Sequence, residues 1–150
     1  MILKFLTPLL LLLSTPAQET LEDGFYLTVD CALRNENKRK NTLDDRQTVC
    51  LSQHPVMTVH EIEGVSSVVD AGLTSYFDIA ISAKAVNQFN TLRAALKSAT
   101  FALVIDNQVL LLVGPDDRIE RTLRIVVYTQ TRDLQRARDK IADLVAKRGQ

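Results

Sequence analysis

YFDIAISAKAVNQFNTLRAALKSATFALVIDNQVLLLV, residues 76–113, changes its hydrophobic period twice, and those changes decide the fold class. Phe77, Ile79 and Ile81 alternate with Asp78, Ala80 and Ser82, the period of a strand with one buried face. From Ser82 onward, Ala85, Phe89, Leu92, Leu96 and Ala99 are spaced by four and three, which lines one face of a helix. Ser82 stands where an N-cap belongs, because its hydroxyl can accept from an orphan amide of the first turn. Phe101–Ile105 and Val109–Val113 are continuous apolar runs separated by Asp106-Asn107. Both turn residues tolerate left-handed backbone angles, so the pair suits a tight hairpin. Strands this apolar need cover on both faces, from helices or from another surface.

The same periods recur on either side. Leu123, Ile125 and Val127 alternate with Arg124, Val126 and Tyr128, and Leu134, Ala137, Ile141, Leu144 and Val145 form a second helical stripe. Arg132, Asp133, Arg136, Asp139, Lys140, Asp143 and Lys147 supply its wet side, and Gly149 stands where a C-cap glycine belongs. Toward the start, Phe25, Leu27 and Val29 lie on one face of an expected strand. Pro55 excludes a central strand around it. Thr58 and Glu61 have the spacing of a capping box. The order of elements predicts an α+β domain: a mostly antiparallel sheet of roughly four to six strands with two amphipathic helices packed on one face.

Composition narrows the function. The chain has 150 residues, 46% of them hydrophobic, and its charges balance to zero. That is the make-up of one globular domain. It argues against a nucleic-acid partner, which requires a concentrated basic surface. NENKRKN, residues 35–41, is the strongest basic cluster and reads as a solvated loop tip, with contact to anionic headgroups as the alternative. The opening MILKFLTPLLLLLSTPAQET places Lys4 before the apolar run Leu9–Leu13 and small residues up to Ala17. This is the layout of a signal peptide over residues 1–17, leaving 18–150 as a single periplasmic or secreted domain. An uncleaved anchor is the alternative, although the apolar run is short of the about 20 residues that a span needs. No later stretch reads as a membrane span.

Export makes a disulfide possible between Cys31 and Cys50, the only cysteines. Unpaired thiols buried in neighbouring strands are the alternative. The intervening ALRNENKRKNTLDDRQTV is polar and reads as a long exposed loop. His54 and His60 are the only histidines and have no Cys or compact acidic cluster beside them, so no metal is expected. Asp116-Asp117 after Gly114-Pro115 reads as a plain turn, not a calcium loop. No nucleophile–base set can be assembled from adjacent residues, so neither an enzyme nor a cofactor is expected. Dispersed acids such as Asp30, Asp70 and Asp78 would have to converge in space to change that.

Three motifs carry a family resemblance across Val49–Ala146: CLSQHPVMTVHEI, YFDIAISAKAVNQFNTL and FALVIDNQVLLLV. Taken in order, they resemble the head part of the first periplasmic domain of SecD, an accessory subunit of the bacterial protein-export machinery. The segment GPDDRIERTLRIVVY after the hairpin is shorter and poorer in glycine than that family's. The resemblance implies an exported α+β domain with a habit of holding polypeptide. It does not carry over proton-driven secretion, which depends on the membrane helices of SecD. The leading expectation is therefore a non-catalytic binding module for a protein or an unfolded polypeptide. Its binding residues would be Phe101, Leu103, Val109 and Leu111, on whichever hairpin face is open. The alternative is a specific inhibitor or immunity-type protein for a secreted enzyme.

Overall fold

The structure, a computed structural model, describes residues 20–32, 38–43, 47–128 and 131–149. The expected signal peptide and residues 35–37 of the basic cluster lie outside the described residues. The chain begins with strand β1 (Gly24–Val29), then β2 (Lys38–Asn41) and β3 (Thr48–Leu51) within the segment read as a loop. A short β4 (Met57–Thr58) and a 3-10 turn lead to β5 (Ile62–Val65), β6 (Val69–Asp70) and β7 (Ser75–Ile81). Helix α1 (Ala83–Ala95) precedes the hairpin of β8 (Phe101–Ile105) and β9 (Gln108–Val113). β10 (Thr122–Val127) and α2 (Thr131–Ala146) complete the α+β fold that the periodicities predict.

The strands divide between two sheets rather than filling one. The first runs β2-β3-β1-β8-β9, with β4 also on β1; the second runs β10-β7-β5, with β6 also on β7. Every ladder between strands is antiparallel. Asp106 and Asn107 both have positive φ, 49° and 67°, the backbone of a two-residue hairpin whose twist matches its strands. Gly24 is required at the start of β1, since a Cβ there would lie 2.7 Å from the Met57 carbonyl oxygen.

The first sheet curls until its ends meet. Leu43 N–H donates to the Val109 carbonyl at 2.8 Å, and Thr42 forms a parallel bridge to Val109. The curl gives this sheet an inner face with its own small core of Leu21, Tyr26, Leu51, Ala102, Val104 and Val109. The opposite face of the same strands, with Phe25, Phe101, Leu103 and Ile105, belongs to the main core. That core also takes the buried alternation of β7 and β10 and the buried stripe of α2, including Leu134 and Ile141. At its centre Phe89 of α1 meets Phe25 at 5.1 Å and Phe101 at 4.8 Å between ring centroids, both edge-on. Such geometry adds about 0.5–1.5 kcal/mol per pair beyond the area buried.

The start of α1 is as expected, with Ser82 Oγ accepting from Ala85 N–H at 3.0 Å. Its end is earlier than the stripe suggests: the helix stops at Ala95, and Leu96 is exposed. Arg93 helps fix that end, donating from both terminal nitrogens to the carbonyls of Gly114 and Asp117. The capping box at Thr58 does not form. Thr58 makes no side-chain cap, and the Glu61 carboxylate accepts from the Ser82 hydroxyl and from Lys84 Nζ rather than from the turn.

Candidate functional site

The hairpin's apolar faces are both covered, and this moves the candidate surface. Phe101 and Leu103 are fully buried in the main core, and Val109 is buried within the curled sheet. Leu111 is partly buried against the main core. Phe101 and Leu103 therefore offer nothing to a partner. The reason is topological: helices cover one face of the hairpin and the curl of the sheet covers the other. Leu111, partly buried, lines a groove, and Val109 adjoins it although only 1% of its surface is exposed.

That groove has a volume of about 240 Å³ and lies between β9 and β10. Val109, Leu110, Leu111 and Leu112 form one wall, Arg124, Val126 and Val127 the other, and Thr42, Leu43 and Gln47 sit beside Val109. Sequence reasoning missed the residues from 42–47 because they fall in a stretch polar enough to read as a loop. Leu43, an isolated apolar residue buried there, was the available signal.

Backbone direction gives this groove its chemistry. β10 is the terminal strand of its sheet. Ile81 N–H donates to the Arg121 carbonyl at 2.8 Å, so Arg121 and Ile81 face each other as a hydrogen-bonded pair. In an antiparallel ladder such pairs alternate with non-bonded ones. By the β7–β10 register, Leu123, Ile125 and Val127 bond to β7, while Thr122, Arg124 and Val126 turn their main-chain groups outward. Ser66 corroborates the phase from the far side of β7, donating its N–H to the Asp78 carbonyl and accepting the Asp78 N–H on its hydroxyl.

The outer face of the second sheet adjoins the groove. Arg124 donates to both carboxylate oxygens of Asp78, at 2.8 and 3.0 Å, and its guanidinium lies 4.1 Å from the centre of the Tyr76 ring. Val69, Tyr76 and Val126 are in register across three strands of this face, with Val69 and Val126 exposed and Leu73 88% exposed nearby.

The acids singled out from sequence are not brought together. Asp30 accepts from the Ala32 amide, Asp70 from the Gly72 amide, and Asp78 from Arg124. His54 and His60 are both exposed. Among the described residues there is no cluster of three or more His, Cys, Asp or Glu that could hold a metal ion, and no helix is long and apolar enough to cross a membrane. Cys31 and Cys50 form a disulfide, with their Cα atoms 5.3 Å apart.

Among the described residues two carboxylates are shifted, and both shifts have visible causes. The Ser82 hydroxyl, then Lys84, hold Glu61 below its ordinary value of 4.5. Hydrogen bonds from Arg124 hold Asp78 below 3.8. A depressed folded-state pKa stabilises above the unfolded value and ceases to do so as pH falls through the folded one. Urea midpoints are therefore expected to fall as pH drops below about 4.5. Glu61→Gln and Asp78→Asn should each flatten that dependence while lowering stability at neutral pH. A wild-type profile unchanged by either substitution would remove both pairs from the account.

No family model matches this chain, and no curated protein matches it either.

Proposed function

We propose that this chain is an exported, non-catalytic module that holds extended polypeptide along the free edge of β10. The observation that carries the reading is the outward main chain of Thr122, Arg124 and Val126 beside an apolar groove. Strand addition satisfies such an edge through backbone hydrogen bonds, and shallow apolar pockets then take alternate side chains with little sequence preference. Natural proteins protect long strand edges with charge, proline or a bulge. The outer edge of β10 has only Arg124 among these, and Arg124 is engaged with Asp78. Export is supported by the disulfide, since such bonds persist mainly in oxidising compartments. The likeness of residues 49–146 to the SecD head points to the same kind of work, the handling of chains in transit.

The test uses a short, lysine-flanked peptide of alternating threonine and valine, labelled with fluorescein. Anisotropy should rise on titration with the protein, and the amides of Arg124 and Val126 should gain protection from hydrogen exchange when the peptide is bound. Binding without protection at those amides would move the site elsewhere, and no binding to this or any unfolded chain would end the proposal. A second reading, a specific inhibitor or immunity-type protein, draws on the exposed Leu73 and the row Val69–Tyr76–Val126. It predicts one tight folded partner, lost in Leu73→Asp, in place of many weak extended ones.

A further inference from the structure

We infer that the Cys31–Cys50 disulfide is a redox-sensitive clasp that holds one wall of the β9–β10 groove in place. Its value as regulation rests on the polypeptide-binding reading above; its effect on the wall does not. Thr42, Leu43 and Gln47 belong to the β2–β3 hairpin and its turn. That hairpin joins the body of the protein at two places in the described residues, the β1–β3 ladder and Val109. β3 pairs with β1 at Thr28–Leu51 and Val29–Cys50, and Ser52 beyond its end exchanges two hydrogen bonds with Leu27, donating its N–H at 2.9 Å and accepting the Leu27 N–H on its hydroxyl at 3.2 Å. β2 pairs with β3, and beyond it Thr42 and Leu43 connect to the body at Val109. The disulfide closes the chain segment between Cys31 and Cys50, 19 positions apart, at the junction of β1 and β3.

The rest of the fold leans little on this hairpin. Among its described residues only Leu43 joins the main core, whereas Leu51 and Val49 pack in the small core inside the curl. Opening the disulfide therefore frees the hairpin and the groove wall and uncovers the small core, and leaves β1, β8, α1, α2 and the second sheet packed. Cys31 is partly exposed and Cys50 is buried, so a thiolate reductant attacks the Cys31 sulfur and Cys50 leaves. A second thiol of the reagent resolves the mixed disulfide: each cysteine gains one electron and one proton, and the reagent is oxidised to its own disulfide.

The experiment compares the oxidised chain, the chain treated with a dithiol reductant, and the Cys31→Ser/Cys50→Ser variant. Reduction is verified by alkylation and mass. The Leu43 amide, which donates to Val109, should exchange about a hundredfold faster without the crosslink, the size that loop-closure entropy gives for a loop of this length. The amides of Ile125 and Ile79 should keep their protection. Binding of the threonine–valine peptide should weaken by about tenfold or more. Unchanged Leu43 exchange in the reduced chain overturns the clasp, and so does opening of Ile125 together with Leu43, which would make the disulfide a staple of the whole fold. If the oxidised chain binds no peptide, the polypeptide-binding reading fails, while the Leu43 and Ile125 amides still decide the clasp.

Discussion

Replacing Phe89 with alanine is expected to lower the free energy of unfolding by about 3–5 kcal/mol, read as a fall in the urea midpoint. Phe89 has no exposed surface and sits edge-on between Phe25 of β1 and Phe101 of β8. Truncation removes its transfer free energy and leaves a void that two rings on a sheet cannot easily collapse to fill. A domain of this size has about 5–15 kcal/mol in total, so the variant should be close to the limit of folding at body temperature. Leu96→Ala is the control. Leu96 lies on the same period in the sequence but is exposed beyond the end of α1, and its loss should change stability by no more than about 0.5 kcal/mol. Equal effects at the two sites would mean that α1 is not packed through Phe89.

That pair of residues also shows how far periodicity reaches. A stripe in sequence identifies which side chains would share a face if the helix continued, but not where it stops. Here Arg93 contacts the carbonyls of Gly114 and Asp117, more than twenty positions downstream, and no local signal announces such a contact. The strand alternations of β7 and β10, the stripe of α2, the Ser82 cap and the Asp106-Asn107 turn were all legible, because each depends on neighbours within one element. With only two cysteines the choice of partners was fixed, but sequence left free thiols as the alternative, and it is the 5.3 Å between the Cα atoms that pairs Cys31 with Cys50.

The candidate site was mostly hidden for the opposite reason. Val109 and Leu111 share the apolar character of Phe101 and Leu103, and both border the groove, Val109 with 1% of its surface exposed. Phe101 and Leu103 are buried in the core. What separates them is the curl of the first sheet, closed by Leu43 and Thr42 against Val109, a contact across more than sixty positions. The strand β2 that delivers those residues is built from Lys38, Arg39, Lys40 and Asn41, a composition that reads as solvated loop. Its strand identity comes from pairing with β3, not from propensity. Glu61 is a third case. Its spacing from Thr58 suggested a local cap, and the carboxylate went to Ser82 on a distant element instead.

Adjacent prolines in β10 should behave in opposite ways, and that contrast tests the fold and the site together. Ile125 is buried, and by register its N–H bonds to β7 at Phe77. Ile125→Pro removes that donor and a core side chain, so a loss of about 3 kcal/mol or more is expected, with a non-cooperative or absent urea transition. Val126 is about half-exposed and its N–H points away from β7. A proline there takes nothing from the ladder, and proline is tolerated at such edge positions. Val126→Pro should therefore unfold within about 1 kcal/mol of wild type. It nevertheless deletes a main-chain donor from the outer edge that an added strand would use. Peptide anisotropy should fall in Val126→Pro, while Val126→Ala, which keeps the donor and trims the side chain, should retain most of the binding. If the alanine and proline variants bind alike, the groove recognises side chains and not backbone. If Val126→Pro unfolds like Ile125→Pro, the phase of the β7–β10 ladder is the reverse of the one drawn from Ile81 and Arg121, and the free edge carries the odd-numbered residues instead.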